Sequence, residues 1–483
     1  MALNLPFKFI KATLDLKAKN GRLRFIAACK NPGVVQKELK QKIIQNSKNG
    51  FPQKIQNYQD LVEKLGDLTY EKVQFYETTS GSTGAKKKIP YTKSLLKSFE
   101  NMFLLWAHDL IHHSQLGLES GKFFMSISPQ IGKHNSDDRQ YLSLPVKTLI
   151  RPFIVSNPSS HIALSSEEFF MQVSLDLLRN PDLELISIWS PSYFLSFMDF
   201  IGNNKAHISR HIHSSHMKSL LCSSEISWEQ IWPKLKLVSC WNEAQAKYSC
   251  ELLKKKLNHT HIQGKGLLLT EAPISIPWNE AKGNVPLVTE TYLEFLDEQG
   301  NILGITELEK GASYVVLTSQ FNGFLRYNTS DKVRVTGYYF QTPILEFIGR
   351  IGNHSDMVGE KLSEELIRSM VKADFFFLLV PNQSDQPNYE IYVDEDTFNQ
   401  HPKEIEHDLI QIHHYQLARD LRQLSPLITL KIKNLSQRYH DFQLSLGVRL
   451  GDIKEKVLIC DPLQAEKFRK WIGKELQSSH QES

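Results

Sequence analysis

Residues 78–90 read Thr78-Thr79-Ser80-Gly81-Ser82-Thr83-Gly84-Ala85-Lys86-Lys87-Lys88-Ile89-Pro90, so hydroxyl side chains alternate with glycines before three lysines. Gly81 and Gly84 let the backbone approach an oxyanion closely. The hydroxyl groups of Thr79, Ser80, Ser82 and Thr83 are donors, and successive backbone N–H groups form a concavity that binds anions. The pattern therefore predicts a loop that binds a polyphosphate.

This loop also has a second interpretation. No Ser or Thr directly follows the lysines, so the stretch lacks the GxxxxGK[ST] pattern of a Walker loop. A polar hairpin tip followed by solvated lysines would have the same composition. Other segments of the chain must therefore decide between a phosphate loop and a surface turn.

The composition is that of a folded globular protein. The chain has 483 residues, which is too long for one ordinary core and predicts two or more domains. Apolar residues make up 41% and charged residues 23%, which excludes the disordered class. The net charge of +4 is small for this length, so neither nucleic acid nor a membrane surface is predicted as a partner.

Cysteine spacing and hydropathy indicate the compartment. The five cysteines show no CxxC spacing, which is typical of reduced thiols rather than a disulfide framework. The first 24 residues mix lysines among apolar residues, unlike a signal peptide, and nowhere do 18 apolar residues run together. We therefore expect a cytoplasmic protein that does not span a membrane. The sequence carries no signal of oligomeric state, and a monomer is the default expectation.

Hydrophobic periodicity predicts an α/β architecture for most of the chain. Helical spacing occurs at 36–45, 58–65, 167–179 and 244–256. Short apolar or β-branched runs predict strands at 123–128, 183–189, 235–240, 267–270, 292–296 and 314–317. This alternation indicates central β-sheets flanked by helices in a large N-terminal domain, residues 1–350.

A second pattern begins near Gly352. Helices are predicted at 364–372 and 405–421, with strands at 375–380 and 389–393 between them. These elements predict a separate small α+β domain, residues 351–483.

Several motifs carry a resemblance to a known family. The loop at 78–90 resembles the phosphate-binding signature of the adenylate-forming superfamily of acyl-CoA synthetases, adenylation domains and luciferases. Four further segments are similar to the Gretchen Hagen three auxin-responsive family of acyl acid amido synthetases. They are Ile262-Gln263-Gly264-Lys265-Gly266-Leu267-Leu268-Leu269-Thr270-Glu271, Gly323-Phe324-Leu325-Arg326-Tyr327-Asn328-Thr329-Ser330-Asp331, Phe347-Ile348-Gly349-Arg350 and Gly359-Glu360-Lys361-Leu362-Ser363-Glu364. The resemblance runs from about Tyr76 to about Lys456.

The resemblance implies a role for each motif. The ATP phosphates would be held by Thr79, Ser80, Gly81, Ser82, Thr83 and Gly84. A lysine would offset their charge, and Lys88 is favoured because it precedes Ile89-Pro90 as the family's lysine does. Thr270 and Glu271 match the family's Thr-Glu step, whose carboxylate would hold Mg²⁺. Asp331 would accept the ribose hydroxyls, and Arg350 would contact ribose or phosphate at a hinge.

The reaction implied is ATP-dependent activation of a small carboxylic acid. The acid carboxylate attacks the α-phosphate, pyrophosphate leaves, and the acyl-AMP passes its acyl group to an amino acid or another amine. Rotation of a mobile C-terminal domain would reshape the site between the two steps. ATP and Mg²⁺ are the implied cofactors. Two alternatives stay open, namely an acyl-CoA or carrier-protein ligase with a thiol acceptor, and a nucleotide-binding protein with impaired catalysis.

The sequence departs from the family pattern at several positions. Ala272 and Ser330 stand where the family usually has glycine, and the phosphate loop is about one residue shorter. No stretch corresponds to the C-terminal segment that carries the superfamily's substrate-binding lysine, and this absence motivates the impaired alternative.

Each site residue also has a simpler interpretation. Glu271 could be a surface or capping carboxylate, Asp331 a turn residue and Arg350 a surface cation. Arg326 could serve as a structural ion-pair partner. His207, His211, His213 and His216 are interpreted as a solvated polar stretch rather than a metal site. Segments 123–128 and 189–195 are candidates to line an acid pocket.

Overall fold

The structure is a computed structural model, and its chain divides into two units. It describes residues 5–78, 87–113, 116–125, 151–155, 166–350, 354–355, 357–358, 360, 362–373, 375–384, 387–396, 398, 402–420 and 424–479. The first unit comprises Met1–Glu243 and Cys250–Ile348, and the second comprises Ala244–Ser249 and Gly349–Ser483.

Helices occupy much of the first half of the chain. They are α1 (Leu5–Lys30), α2 (Pro32–Asn46), α3 (Tyr58–Leu61), α4 (Lys93–His113), α5 (Ser166–Leu178), α6 (Pro191–Asn203), α7 (Lys205–Arg210), α8 (Ser215–Leu221), α9 (Trp228–Ile231) and α10 (Lys247–Lys256). Helix α6 illustrates why they form. Pro191 occupies its first turn, where the missing N–H is not needed. Phe194, Phe197 and Ile201 recur at helical spacing and are buried.

A parallel sheet forms one layer of the first unit. Its strands are β3 (Phe123–Met125), β4 (Leu185–Ser187), β5 (Leu237–Ser239) and β6 (His261–Gln263), in the order β3-β4-β5-β6. Helices lie between successive strands in the chain, as parallel pairing requires. All three residues of β5 are buried, which is typical of a parallel sheet covered on both faces. The carboxyl ends of the strands therefore meet at one edge of the sheet.

A seven-stranded sheet forms the other large layer. Its strands are β7 (Ser275–Trp278), β8 (Gly283–Pro286), β9 (Tyr292–Leu296), β10 (Ile302–Gly304), β11 (Ser313–Ser319), β12 (Tyr327–Tyr339) and β13 (Thr342–Arg350). The strand order is β10-β9-β11-β12-β13-β8-β7. Trp278, Phe295 and Val335 belong to the core that this sheet shares with α1 and α4, where the ring of Phe25 meets that of Trp278 edge-on at 4.9 Å.

A separate hairpin precedes both sheets. Strands β1 (Val73–Thr78) and β2 (Lys88–Thr92) pair antiparallel, and Thr78 lies opposite Lys88. The two ends of the glycine-rich segment are therefore held side by side.

The second unit is smaller and mixes helices with a short sheet. It contains β14 (His354–Ser355), β15 (Leu362–Ser363), β16 (Phe377–Asn382), β17 (Asn388–Asp394) and β18 (Ile428–Ile432), together with α11 (Glu364–Met370), α12 (Pro402–Ile410), α13 (His413–Asp420), α14 (Leu435–Ser445) and α15 (Pro462–Ser479). Strand β17 pairs antiparallel with β16 and parallel with β18. Leu379, Tyr389 and Leu409 lie in its core.

The predicted α/β class is confirmed, and most predicted elements occur close to their expected bounds. Two predictions are wrong. Leu267–Thr270 is not a strand, because it bends back in a tight turn with a single bridge between Leu268 and Pro273. The helix expected over 405–421 is two helices, since the chain turns at Gln411 and Ile412 between α12 and α13.

The clustered histidines lie at the surface, whereas the cysteines are divided between buried and accessible positions. His207, His211, His213 and His216 are all exposed. The five cysteines carry no disulfide, and Cys29, Cys240 and Cys250 are buried. Among the described residues, no helix is both long and apolar enough to span a bilayer.

Candidate nucleotide-binding site

Thr270 and Glu271 lie at the tip of a tight turn in the first unit. Leu269 and Ala272 exchange backbone hydrogen bonds of 3.1 and 3.3 Å across the turn. The hydroxyl of Tyr91, a core residue, donates to the Thr270 carbonyl over 2.7 Å. The contact with Tyr91 thus anchors the turn to the core. Glu271 is held at a defined position, with only 8% of the residue exposed.

A glycine makes this turn possible. Gly266 has φ of +71°, and a Cβ there would lie 2.4 Å from the carbonyl oxygen of Ser275. A side chain at this position would therefore collide with backbone on the returning arm of the turn.

Tyr327 connects the turn to the end of the glycine-rich segment. Its hydroxyl donates to Oε1 of Glu271 over 3.1 Å. The same hydroxyl accepts a hydrogen bond from the Lys87 amine over 2.9 Å. Tyr327 opens β12 and is 1% exposed. Lys87, Tyr327 and Glu271 therefore form one hydrogen-bonded series of a cation, a hydroxyl and a carboxylate.

Asp331 lies four residues further along β12 and is 2% exposed. The pairing of β12 with β11 shifts register here, since Leu317 faces Asn328 whereas Val315 faces Lys332. The irregularity places Ser330 at φ of +62°, in the left-handed region. The Asn328 side chain accepts a hydrogen bond from the Ser330 N–H over 2.9 Å, which stabilises this conformation.

The remaining loop residues can be placed only at the loop's ends. Thr79, Ser80, Gly81, Ser82, Thr83, Gly84 and Lys86 lie outside the described residues. Lys88 begins β2 with an exposed side chain, and its backbone N–H donates to the Tyr58 hydroxyl over 2.7 Å. Lys87, rather than Lys88, therefore donates to the Tyr327 hydroxyl, which in turn donates to Glu271.

Arg326 and Arg350, two arginines of the segments that resemble the family, have different surroundings. Arg326 forms a two-pronged ion pair with Glu294 at 2.7 and 3.0 Å, so the structural interpretation of this residue is correct. Arg350 ends β13 with an exposed side chain and belongs to the second unit.

Glu360 and Ser363, in the segment Gly359–Glu364, organise the second unit internally. Glu360 is fully buried and accepts hydrogen bonds from the N–H groups of Met357 and Val358 at 2.8 and 2.9 Å. Ser363 caps α11 by accepting from the Leu366 N–H over 3.1 Å. Glu360 and Ser363 therefore stabilise the backbone conformation of neighbouring residues in the second unit.

Polar and aromatic groups gather at the carboxyl edge of the parallel sheet. The Lys265 amine donates to the hydroxyl of Ser187, the last residue of β4, over 2.7 Å and lies 5.0 Å from the Trp189 ring centroid. The rings of Trp189 and Trp241 are 5.8 Å apart. Ligands of open parallel sheets bind beyond this edge. Lys265 directly precedes the turn that presents Glu271, so the aromatic group and the carboxylate are close neighbours in the chain.

Sequence reasoning missed Tyr327, Lys265 and the role of Lys87. Tyr327 and Lys265 both lie inside the quoted family-like segments, yet neither carries a signature of its own. Lys265 follows β6, a strand that was not predicted from the sequence, so no signal placed it at the carboxyl edge of the sheet. No signal distinguished Lys87 from its two neighbours.

Solved structures of ligases share this fold. AtGH3.15 acyl acid amido synthetase in complex with 2,4-DB superposes with a TM-score of 0.77 at 16% identity, covering 93% of this chain and 95% of that one. A 2-hydroxyisobutyryl-CoA ligase in its postadenylation state superposes with a TM-score of 0.54 at 12% identity, covering 95% and 92%. The fold is thus the one found in adenylate-forming ligases.

Sequence comparison assigns the family. The GH3 family N-terminal domain matches residues 56–227, and the GH3 family central domain matches residues 284–350. The chain therefore belongs to the GH3 family, the Gretchen Hagen three family of amido synthetases, as its motifs predict.

A curated relative matches over a shorter stretch. The probable indole-3-acetic acid-amido synthetase GH3.7 of Oryza sativa subsp. japonica is 28% identical over 104 residues. That stretch covers 18% of this chain and 17% of the relative.

Proposed function

We propose that this protein is an ATP-dependent acyl acid amido synthetase. The observation that carries the proposal is the Lys87–Tyr327–Glu271 series in a GH3 family chain, with Asp331 on the same strand as Tyr327. A cation for phosphate, a carboxylate for a metal and a second carboxylate for ribose are the groups that nucleotide activation needs.

The residues present fit a magnesium ion. Glu271 offers hard carboxylate oxygens at the tip of a rigid turn, and the Tyr327 hydroxyl orients one of them. When bound, Mg²⁺ would neutralise charge on the phosphates. Glu271 is the proposed ligand, with Thr270 beside it in the turn.

The remaining nucleotide contacts follow the sequence prediction. Thr79, Ser80, Gly81, Ser82, Thr83 and Gly84 are proposed to cradle the phosphates between the paired ends Thr78 and Lys88. Lys88 stays a prediction as the lysine that offsets phosphate charge. Lys87 is a second candidate for this role, because its amine donates to the Tyr327 hydroxyl. Asp331 is proposed to accept the ribose hydroxyls, and Arg350 is proposed to contact ribose or phosphate.

The acid is proposed to bind at the carboxyl edge of the parallel sheet. Adenylation joins the acid carboxylate to the α-phosphate, so the acid must lie beside the nucleotide. The Lys265 amine would attract the carboxylate, while Trp189 and Trp241 offer flat apolar surfaces to an aromatic or otherwise apolar body. The relative of known structure was solved with the acyl acid 2,4-DB, which supports an acid of this class.

The proposed reaction has two steps, adenylation of the acid and transfer of the acyl group to the amine. The carboxylate oxygen bonds to the α-phosphorus, the bond to the bridging oxygen of pyrophosphate breaks, and acyl-AMP forms. An amine nitrogen then bonds to the acyl carbon, AMP leaves, and one proton is released. The chain's own contribution is to orient the reactants and to stabilise charge on the phosphoryl oxygens.

Product analysis tests the proposal. The purified chain is incubated with ATP, Mg²⁺, a panel of aromatic and aliphatic acids, the twenty amino acids and coenzyme A, and mass spectrometry follows AMP and new conjugates. An amide conjugate that requires ATP is expected. Formation of a thioester with coenzyme A and of no amide would assign a thiol acceptor instead, and absence of any acyl product would contradict acyl activation.

A further inference from the structure

A cluster of metal-ligating side chains lies outside the nucleotide site. Asp15 on α1 lies beside His108 and His112 on α4. The two histidines are four residues apart, so they occupy the same face of α4 on consecutive turns. Helices α1 and α4 pack together in the first unit, and the cluster therefore bridges two elements that are distant in sequence.

The distances approach those of a tetrahedral metal site. Oδ1 of Asp15 lies 3.0 Å from Nε2 of His108 and 3.5 Å from Nε2 of His112. Zn²⁺ bonds to nitrogen and oxygen are about 2.0–2.2 Å, so neighbouring ligand atoms of a tetrahedral site are roughly 3.3 Å apart. The two measured separations fall on either side of that value. All three ligand atoms lie within 4.8 Å of one another.

The three side chains of the cluster differ in burial. The His108 side chain is 5% exposed, whereas those of His112 and Asp15 are 23% and 48% exposed. The buried His108 ring provides an anchored ligand, and the Asp15 carboxylate is the most exposed of the three side chains. Three protein ligands with one open position is a common arrangement for zinc.

Hydrogen bonding between Asp15 and the histidines is the competing explanation. In that case one oxygen accepts from two protonated nitrogens at unequal distances of 3.0 and 3.5 Å. Zn²⁺ would replace the protons of both Nε2 atoms, because an imidazole nitrogen must be deprotonated to bind a metal. Two imidazoles and one carboxylate favour Zn²⁺ over Mg²⁺, because Mg²⁺ prefers an all-oxygen set.

We propose that Asp15, His108 and His112 form a Zn²⁺ site that links α1 to α4. The site is separate from Glu271 and does not depend on the proposed ligase activity. Among the residues that the structure describes, this is the one group of three such side chains close enough to share an ion. Binding there would stabilise the packing of α1, since a ligand of the folded state alone favours folding.

Cobalt spectroscopy and calorimetry test the site on the full-length chain without a histidine tag. Co²⁺ is added to metal-free protein, and its visible d–d absorption is recorded before Zn²⁺ is added to displace it. One ion per chain with a tetrahedral nitrogen and oxygen spectrum is expected. Zn²⁺ should raise the melting temperature, and a chelator should reverse the rise.

Variants locate the ion. His112→Asn and Asp15→Asn should each weaken Zn²⁺ binding by more than about tenfold. His112 is less buried than His108, so its substitution should disturb folding less. His207→Asn with His211→Asn is the matched control, because these rings form another exposed pair four residues apart, 5.2 Å between centroids. That control should bind as the unmodified chain does.

Three results would overturn the proposal. The first is no stoichiometric Zn²⁺ binding. The second is equal binding by the Asp15 and His112 variants and the unmodified chain. The third is a thiolate-to-cobalt charge-transfer band, which would assign the ion to cysteine. None of these results bears on ATP-dependent chemistry, which is measured separately.

Discussion

The hydroxyl of Tyr327 donates a hydrogen bond to the carboxylate of Glu271 over 3.1 Å, and it accepts one from Lys87 over 2.9 Å. Lys87 precedes Tyr327 by 240 residues and Glu271 precedes it by 56, yet both side chains contact the same phenolic oxygen. A buried tyrosine can satisfy both contacts because its hydroxyl is a donor and an acceptor. The end of the glycine-rich segment and the Thr-Glu turn are consequently neighbours in the folded chain.

The first prediction separates the two candidate lysines. Lys87→Met should lower acid-dependent pyrophosphate release by about 100-fold, because it removes a cation held beside Glu271. Lys88→Met should have a much smaller effect, since that side chain is exposed. Steady-state rates with ATP and one acid substrate measure both. The reverse order of effects would favour the assignment made from the sequence, in which Lys88 precedes Ile89-Pro90.

The second prediction concerns the acid. Lys265→Met should raise the KM for the acid by about tenfold or more and leave the KM for ATP nearly unchanged, because the lost amine would bind the carboxylate rather than the nucleotide. Lys282→Met is a suitable control, since Lys282 lies in a turn between β7 and β8. Equal rises in both KM values for Lys265→Met would assign the residue to the nucleotide or to general folding.

The third prediction compares the two positions at which the family usually has glycine. Ser330 has φ of +62°, so Ser330→Gly should relieve strain and be neutral or stabilising by up to about 1 kcal/mol. Ala272 is fully buried and is not among the residues with positive φ. Ala272→Gly should therefore destabilise by about 0.5–1 kcal/mol or more through added chain entropy and lost contacts. Denaturant unfolding measures both, and the opposite ranking would contradict the backbone geometry.

The fourth prediction is a pH dependence. Burial raises the pKa of Glu243 to about 7, the nearby Glu346 charge adds to this, and hydrogen bonds from Phe347 and Asn284 oppose it. A carboxyl whose folded pKa exceeds its unfolded value of 4.5 stabilises the fold at low pH. That stabilisation declines as the pH rises from about 4.5 through about 7.

A neutral variant measures the effect. As the pH rises from about 4.5 to about 7, the unmodified chain should lose stability relative to Glu243→Gln. The expected loss in unfolding free energy is roughly 1–3 kcal/mol, and it is seen as a lower melting temperature relative to the variant. Asn284 Nδ2 donates to Glu243 over 2.7 Å, and the amide of the variant can still accept this bond. A difference in melting temperature that does not change with pH would show that Glu243 has an ordinary pKa in the folded protein.

The sequence predicted the large features because they depend on local patterns. Tyr292–Leu296 was expected as a strand and has those bounds in the structure, since its apolar run is bounded by turns. The family was also readable, because the motifs around Glu271 and Asp331 occur in the expected order. The bounds of α2, α5 and α10 were likewise approximated by helical periodicity.

What the sequence could not predict depends on tertiary contacts. Leu267–Thr270 has the composition of a strand, yet it bends back in a turn in which the backbone of Gly266 packs directly against that of Ser275. The segment Ala244–Ser249 clusters with the second unit although it is embedded in the sequence of the first. Within that unit Ser249 donates a hydrogen bond to the buried Glu455, which lies 206 residues later. No local pattern records such a contact, and none reveals that Tyr327 joins Lys87 to Glu271.

The measurement that tests the central claim most directly is acid-dependent exchange of labelled pyrophosphate into ATP, made on the unmodified chain and on Glu271→Gln. The exchange reports formation of an acyl-AMP whatever the acceptor. We expect exchange that requires both a carboxylic acid and Mg²⁺, and a loss of at least about 100-fold in the variant because the carboxylate charge is removed. Exchange by Glu271→Gln at the rate of the unmodified chain, or no exchange with any acid, would contradict the proposed adenylation site.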